Sequence, residues 1–356
     1  MWIDVIKVLL GLGLLSISAE YLVHSSVKIA QTLSIPKLLI GLTIVSFGTS
    51  APELAVSSIA ALQGKADMTL GNIVGSNLFN SLVIVGLTAA IFPVIVSRRL
   101  LRFDLPIAFG ASLLVAWMAY GRSFDPLKGW ILLGLLALYL ASLFQFSKKP
   151  KRQESRAIAK SWRGLSLQAL IFLVTLTGLI FGSQWFVAGA ANLARAAGVS
   201  ELIVGLSLVA VGTSIPEVAT SISAAFKRES GIAIGNAIGS NIFNLLGVLG
   251  ISVIIAPANL QVSPELLSRD LPVLLAASIL MILAFLSHRR LSQREGVFLL
   301  LAYGLYAVSL YFSTLSSHAL SSWSMKLIYF LLAPSFLLFV LLRTRQRMSN
   351  RRRSSA

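Results

Sequence analysis

Cysteine is absent from this chain of 356 residues. Its absence excludes disulfide bonds, thiolate metal sites and cysteine nucleophiles. Charge is also scarce: charged residues make up 12% of the chain, and only 13 are acidic against 30 basic. Hydrophobic residues make up 56%, and the mean hydropathy is +0.84, well outside the range of soluble globular domains. The composition therefore predicts a membrane protein.

Stretches of about 20 apolar residues, long enough to cross a bilayer core, recur along the whole chain. Asp4 and Lys7 interrupt the first stretch, and no small-residue cleavage site follows it. We therefore interpret it as a retained span rather than a signal peptide. The sequence predicts eleven spans, at about 3–31, 37–62, 68–95, 103–121, 127–146, 166–194, 201–225, 232–256, 270–287, 295–313 and 323–342.

The net charge of +17 is concentrated in loops beside the predicted spans. The positive-inside rule explains this distribution, so a nucleic-acid partner is not expected. The longest basic loop, 147–165, should be cytoplasmic, and alternating outward from it places the other basic loops and the Arg-rich tail on the same side. We predict a multi-pass protein of the plasma or inner membrane, with an external N-terminus and a cytoplasmic C-terminus.

Two segments of the chain repeat each other. Residues 41–82 and 205–246 align without a gap at an offset of 164, and 20 of the 42 positions are identical. The offset contains five predicted spans, an odd number, so the second copy should enter the membrane in the opposite direction. Inverted repeats of this kind are typical of secondary transporters, which bind substrate near the bilayer midplane. The alternative, a duplication kept only for packing, does not explain why polar residues are repeated in an apolar medium.

A proline falls inside one predicted span of each repeat. Pro52 cannot donate a backbone hydrogen bond and its ring crowds the carbonyl of Gly48, so the helix should kink or break there. Thr49 and Ser50 lie four and three residues before Glu53, which places the three side chains on one helical face. Thr and Ser could also serve as hydrogen-bonding contacts between helices, but an intramembrane carboxylate is a functional candidate. The second repeat carries the same arrangement in Thr213, Ser214, Pro216 and Glu217.

The next span of each repeat supplies further oxygen-bearing side chains. Asn72, Ser76 and Asn80 follow one another at four-residue intervals and form a stripe. Asn72 could bind an ion or the broken backbone, and the same holds for its equivalent, Asn236. The better ligand candidates, nearer the span centres, are Ser76, Asn80, Ser240 and Asn244. The glycine pairs Gly71 with Gly75 and Gly235 with Gly239 should allow close helix packing.

Nine of the 13 acidic residues lie outside the repeated segments. Glu20 aligns with Gln184 and has no symmetric partner, so we expect it near the membrane interface rather than at an ion site. Asp104 and Asp270 fall at the ends of predicted spans and are expected to be solvated.

The pattern GTSxPE followed by GNxxGSNxFN, present in both halves, resembles the repeats of the calcium/cation antiporter superfamily, specifically the sodium/calcium exchangers of prokaryotes. The resemblance covers the first ten spans and implies a core of ten helices, in which spans 2, 3, 7 and 8 surround the ion sites and spans 1 and 6 slide to alternate access. The eleventh span departs from it. The implied ligands are Thr49, Ser50, Glu53, Ser76, Asn80, Thr213, Ser214, Glu217, Ser240 and Asn244, with the backbone carbonyls of Ser46 and Ala210.

Differences between the motifs of this chain and those of related subfamilies indicate which subfamily it resembles. Proton-coupled calcium exchangers typically carry an acidic residue, and often a histidine, after the GN motif, and this chain has neither. Potassium-dependent exchangers carry Asp at the position of Asn244, and some prokaryotic sodium/calcium exchangers also have Asp there; this chain has Asn at both 80 and 244. The resemblance therefore favours a potassium-independent exchanger driven by sodium.

The sequence predicts an all-α polytopic membrane protein with an inverted repeat of five plus five helices and an extra C-terminal helix. Its predicted parts are a first repeat at 1–146, a basic loop at 147–165, a second repeat at 166–314, and the last span with a basic tail at 315–356. The predicted function is antiport of Na⁺ and Ca²⁺ by alternating access, without a cofactor and without enzymatic chemistry. The alternatives are a proton-coupled cation antiporter, a cation channel and an intramembrane hydrolase.

Overall fold

The computed structural model describes residues 1–33, 35–146, 162–196, 212–286 and 290–314. Within these ranges the chain is almost entirely helical. The helices are α1 (Trp2–Leu33), α2 (Lys37–Thr49), α3 (Ala51–Leu62), α4 (Ala66–Ile91), α5 (Leu100–Ala119), α6 (Pro126–Phe146), α7 (Trp162–Ala196), α8 (Ile215–Phe226), α9 (Ser230–Ile255), α10 (Leu271–Leu286) and α11 (Gln293–Thr314).

Among the described residues, seven helices are long and apolar enough to cross a bilayer, and the bent pair α2–α3 makes an eighth. These eight match eight of the predicted spans within a few residues. The predicted tenth span corresponds to α11, and α8 forms the later part of the seventh. The start of the seventh span, at 201–211, and the eleventh span lie outside the described residues.

Two short pairs of antiparallel strands connect the repeats. β1 (Val94–Ile95) pairs with β4 (Arg290–Leu291), and β2 (Ser123–Phe124) pairs with β3 (Leu260–Gln261). Each pair joins a loop of the first repeat to a loop of the second. In the first repeat, β1 lies in the loop after α4 and β2 lies in the loop after α5. They lie at opposite ends of the bundle, because α5 runs between them.

Equivalent loops of the two repeats occupy opposite faces of the bundle. Lys65 lines a surface cavity together with Gln261 of β3. Its equivalent at the 164-residue offset is Glu229, whose Oε1 lies 2.6 Å from Nζ of Lys37. The neighbouring Arg228 guanidinium stacks over the Phe92 ring, beside β1. The inverted orientation predicted from the odd number of spans is therefore present in the fold.

Within the described ranges, five π-helical turns interrupt the α-helices, and four of them form two pairs at related places in the two halves. They cover Gly41–Val45 in α2, Phe79–Ile84 in α4, Leu100–Asp104 at the start of α5, Phe243–Val248 in α9 and Leu266–Asp270 before α10. A π-helical turn widens the helix locally and occurs often at functional sites. The sequence pattern did not reveal them.

Glycines allow α9 to pack backbone to backbone on α2. A Cβ at Gly235 would lie 3.0 Å from the Cα of Gly41, and one at Gly239 would lie 2.7 Å from the Cα of Leu42. Any larger residue would therefore force the helices apart. This confirms the predicted packing role of Gly235 and Gly239. The same prediction is wrong for Gly71, where an added Cβ would meet nothing within 4 Å.

The prediction that Asp104 and Asp270 are solvated is wrong. Both side chains are buried, each in a π-helical turn that opens a span. Tyr139 of α6 donates a hydrogen bond to Asp104 Oδ1 at 3.2 Å, and Tyr306 of α11 donates to Asp270 Oδ1 at 3.0 Å. Their positions at the ends of predicted spans suggested that the aspartates contact water, but helices α6 and α11 cover the two side chains.

Candidate ion-binding site

The candidate site lies where the helix breaks of the two repeats face α4 and α9. The break between α2 and α3 bends the chain by 45° at Ser50, which has φ −82° and ψ 8°. Ser214, which precedes α8, has nearly the same conformation, with φ −91° and ψ 5°. Pro52 and Pro216 each stand in the first turn of the new helix, where the missing N–H leaves no hydrogen bond unmade. The predicted break is confirmed.

Each break places a glutamate in the first turn of a helix inside the bundle. Glu53 in α3 and Glu217 in α8 are both fully buried. The positive end of the helix dipole favours a negative charge at this position. Two carboxylates at such depth still require compensation, because isolated charges are costly to bury.

The glutamates are bonded across the boundary between the repeats. Ser50 donates a hydrogen bond to Glu217 Oε1 at 3.0 Å, and Ser214 donates to Glu53 Oε1 at 2.9 Å. Each carboxylate is thus held by the serine of the other repeat. The two halves of the candidate site form one polar cluster rather than two separate ones.

A second pair of bonds crosses the same boundary. Thr49 Oγ1 donates to Asn236 Oδ1 at 2.9 Å, and Thr213 Oγ1 donates to Asn72 Oδ1 at 3.3 Å. Asn72 Nδ2 in turn donates to the carbonyl oxygen of Glu53 at 3.5 Å, and Asn236 Nδ2 to that of Glu217 at 3.4 Å. Of the two roles considered for these asparagines, the structure shows the contact with the broken backbone.

Several buried polar atoms of the predicted ligands have no hydrogen-bond partner. They come in equivalent pairs: Oε2 of Glu53 and Glu217, the hydroxyls of Ser76 and Ser240, and both amide atoms of Asn80 and Asn244. An unsatisfied buried polar group costs about 1–3 kcal/mol, so the duplicated oxygens favour a ligand that would coordinate them.

The donor set is suited to a hard cation. Carboxylate, hydroxyl and amide oxygens are the ligands that Ca²⁺ prefers, in sets of six to eight. Among the described residues, no group of three or more His, Cys, Asp or Glu side chains could hold a metal ion. The cluster combines the two carboxylates of Glu53 and Glu217 with neutral hydroxyl and amide oxygens.

Comparison with known proteins agrees with this arrangement. The family model described as sodium/calcium exchanger protein matches residues 4–145 and 167–312. The chain belongs to the sodium/calcium exchanger family. The putative antiporter CaxA of Alkalimonas amylolytica is 37% identical over 316 residues, which cover 85% of this chain and 97% of CaxA. The inner membrane protein YrbG of Escherichia coli is 36% identical over 304 residues, covering 83% and 92%.

A solved structure of a family member has the same fold. The sodium-calcium exchanger NCX_Mj, soaked with 10 mM Na⁺ and without Ca²⁺, superposes with a TM-score of 0.76 at 28% identity, covering 87% of this chain and 98% of NCX_Mj. That protein has ten transmembrane helices in inverted repeats. This exchanger-family chain is thus a polytopic membrane transporter, a calcium/cation antiporter without a cofactor, and not an enzyme.

Most of the residues predicted for the site lie together in this exchanger-family chain. All of the predicted side-chain ligands are buried, and Thr213, at 8% exposure, is the most accessible of them. Ser46 is buried too. Its carbonyl oxygen accepts a hydrogen bond from the Ser50 amide at 3.0 Å and lies 3.4 Å from Thr49 Oγ1. Ala210 lies outside the described residues. The binding role of each residue stays a prediction.

Glu20 lies away from the cluster. Its side chain is 64% exposed and its Oε1 lies 3.5 Å from Nζ of Lys227, which follows α8.

The sequence analysis missed the buried Asp104–Tyr139 and Asp270–Tyr306 pairs, although the sequence holds a signal for them. The two aspartates are separated by 166 residues and the two tyrosines by 167, nearly the offset of the repeat.

Proposed function

We propose that this chain exchanges Na⁺ for Ca²⁺ by alternating access, and that the buried cluster binds both ions. The observation that carries the proposal is the pair of buried glutamates, each with one oxygen held by the opposite repeat and one oxygen unbonded. Two carboxylates neutralise one Ca²⁺, and several Na⁺ ions would compete for the same oxygens. Support for sodium and calcium as substrates comes from the family and from the name of NCX_Mj.

The proposed ligands divide equally between the repeats. Glu53 and Glu217 supply the charge, and the neutral oxygens complete the six to eight ligands of Ca²⁺. The neutral ligands are the side chains of Thr49, Ser50, Ser76, Asn80, Thr213, Ser214, Ser240 and Asn244 and the carbonyls of Ser46 and Ala210.

We infer that exchange is electrogenic and independent of potassium. If three Na⁺ enter for each Ca²⁺, one net charge moves per cycle, and the membrane potential contributes about 2.3 kcal/mol per 100 mV. Asn244 is neutral, so the site has no third negative charge that K⁺ would balance.

We also propose the location and orientation of the chain. The name of YrbG supports an inner-membrane location, and the basic loops favour an external N-terminus and a cytoplasmic C-terminus.

Replacing either glutamate tests the proposed site. Glu53→Gln and Glu217→Gln keep the shape of the side chain and each remove one negative charge. Ca²⁺ would then be only half compensated in a water-poor site, so we expect calcium uptake into proteoliposomes to fall at least about 100-fold for each variant, the equivalent of about 2.7 kcal/mol.

The matched control is Glu265→Gln, which alters an exposed glutamate just before the π-helical turn Leu266–Asp270. It should transport calcium as the unaltered protein does. Size-exclusion profiles would establish that all three variants fold. Near-normal calcium exchange by a folded Glu53→Gln or Glu217→Gln protein would refute the proposed site.

A further inference from the structure

Asn72 and Asn236 are bonded on both sides of the amide, and the bonds are the same in the two repeats. Asn236 Oδ1 accepts from Thr49, while its Nδ2 donates to Ser221 Oγ at 3.1 Å and to the carbonyl oxygen of Glu217 at 3.4 Å. Asn72 makes the equivalent bonds with Thr213, with Ser57 Oγ at 2.9 Å and with the carbonyl oxygen of Glu53 at 3.5 Å. Both side chains are buried.

The chemistry of these partners fixes the orientation of each amide. A backbone carbonyl can only accept a hydrogen bond, so the NH₂ group must point toward the carbonyl of Glu217. The amide oxygen of Asn236 then faces Thr49, and the reversed amide would bring two oxygens together at the carbonyl. The same reasoning applies to Asn72 beside Glu53 and Thr213.

The orientation of the amide decides where the threonine hydrogen goes. A hydroxyl has one hydrogen and two acceptor lone pairs. Thr49 Oγ1 lies 2.9 Å from Asn236 Oδ1 and 3.4 Å from the Ser46 carbonyl oxygen, so Asn236 is the nearer acceptor. When Thr49 gives its one hydrogen to Asn236, it has only lone pairs left for other neighbours. A cation is attracted by those lone pairs and repelled by a hydroxyl hydrogen, so the bond to asparagine prepares Thr49 to act as a ligand.

We propose that Asn236 and Asn72 are positioning residues that hold the hydroxyls of Thr49 and Thr213 with their oxygens available to the transported cation. Each asparagine acts across the repeat boundary, since Asn236 orients a threonine of the first repeat and Asn72 one of the second. The inference rests on the proposed function, in which both threonines are ligands. It assigns to the asparagines an effect on cation affinity without contact with the cation.

The bonds to Ser57 and Ser221 tie the same amides to α3 and α8, so packing of the broken helices is the competing explanation. The two explanations differ in one respect. A packing role would weaken calcium binding whether or not Thr49 carries a hydroxyl. A positioning role disappears when that hydroxyl is removed, because nothing is left to orient.

A double-mutant cycle separates these cases. Asn236→Leu removes the amide at similar volume, and Thr49→Val removes the hydroxyl at the same shape. Calcium dissociation constants would be measured by titration calorimetry on the purified full-length protein in nanodiscs. We expect each single variant to weaken binding about tenfold, a typical coupling for residues in one hydrogen-bond network. In the Thr49→Val background, Asn236→Leu should add less than about a threefold change.

An equal loss in both backgrounds would overturn the positioning role and leave packing as the explanation. Unchanged calcium affinity in Thr49→Val would instead remove Thr49 from the proposed ligand set. That result would contradict the proposed site rather than the role of Asn236. If the Asn236→Leu protein does not fold, Asn236→Ala replaces it. The equivalent substitutions of Asn72 and Thr213 provide a second double-mutant cycle. The control is Ser278→Ala, which removes a buried hydroxyl 3.4 Å from Ser112 of the other repeat. Ser278 is not a candidate ligand, and the variant should leave calcium affinity unchanged.

Discussion

At the scale of the residue, the candidate site is organised by where each hydrogen points. Ser50 and Ser214 direct theirs to glutamates, and Thr49 directs its hydrogen to an asparagine. The oxygens left unbonded belong to the glutamates, Ser76, Ser240, Asn80 and Asn244. Among the described residues, eight of the 17 buried side-chain atoms without a hydrogen-bond partner belong to residues proposed to bind the ions.

Asn244 tests the proposed independence from potassium. Its amide offers one neutral oxygen, whereas Asn244→Asp would add a third buried negative charge that Ca²⁺ alone does not balance. We expect calcium uptake by the unaltered protein to be unchanged when choline replaces K⁺ at constant Na⁺ and voltage. Uptake by Asn244→Asp should depend more strongly on pH or on an added monovalent cation, by at least about threefold across the series.

Initial rates of calcium uptake across a K⁺ series and a pH series would measure both effects. A requirement for K⁺ in the unaltered protein would contradict the potassium-independent mechanism. An Asn244→Asp protein with unaltered behaviour in both series would place Asn244 outside the ion pocket.

The sequence predicted which residues form the cluster but not how they pair. Glu53 and Glu217 stand out because a carboxylate inside an apolar span is rare, and the repeat doubles the signal. The bonds from Ser50 to Glu217 and from Thr49 to Asn236 join residues far apart in the chain. These bonds depend on how the two repeats pack against each other, and the sequence pattern within one repeat does not predict that packing.

At the scale of the element, the fold relies on interrupted helices. Pro52 and Pro216 signalled the breaks, because a missing N–H has a definite local consequence. The π-helical turns carry no such residue and were not predicted. Asn80 and Asn244 lie in two of these turns, so the widened backbone contributes to the position of two proposed ligands.

The buried Asp–Tyr pairs connect neighbouring helices and should contribute to stability. Tyr139→Phe would remove the hydrogen bond from α6 to Asp104 at the start of α5, and a buried acceptor that loses its donor costs about 1–3 kcal/mol. Thermal unfolding in detergent should show a lower melting temperature. Tyr120→Phe, which alters a tyrosine that is 79% exposed, should leave the melting temperature unchanged.

An equal melting temperature for Tyr139→Phe and the unaltered protein would show that this bond does not hold α6 on α5. Tyr306→Phe, which breaks the equivalent bond to Asp270, should behave like Tyr139→Phe because the two pairs occupy related places in the inverted repeats.

At the scale of the whole molecule, the two repeats are joined at both faces and at the centre. The strand pairs β1–β4 and β2–β3 join them near the ends of the helices, and the serine, threonine and asparagine bonds join them at the candidate site. Which face is cytoplasmic follows only from the positions of Lys and Arg.

The absence of cysteine allows a direct test of orientation. Gln261→Cys and Arg290→Cys each place a single thiol at an exposed position in β3 and β4. In intact cells, a membrane-impermeant maleimide should label Gln261→Cys at least about tenfold faster than Arg290→Cys, since the proposed topology puts β3 outside and β4 inside. Permeabilised cells serve as the control, in which both should react. The opposite order in intact cells would invert the topology.

The central claim is that a sodium gradient alone drives calcium across the membrane through this protein. Purified protein would be reconstituted into vesicles loaded with Na⁺ and diluted into sodium-free medium with radioactive Ca²⁺, at equal pH and without K⁺. The account predicts calcium accumulation that requires internal Na⁺ and increases with an inside-positive membrane potential. Accumulation that follows an imposed proton gradient and is indifferent to Na⁺ would contradict it.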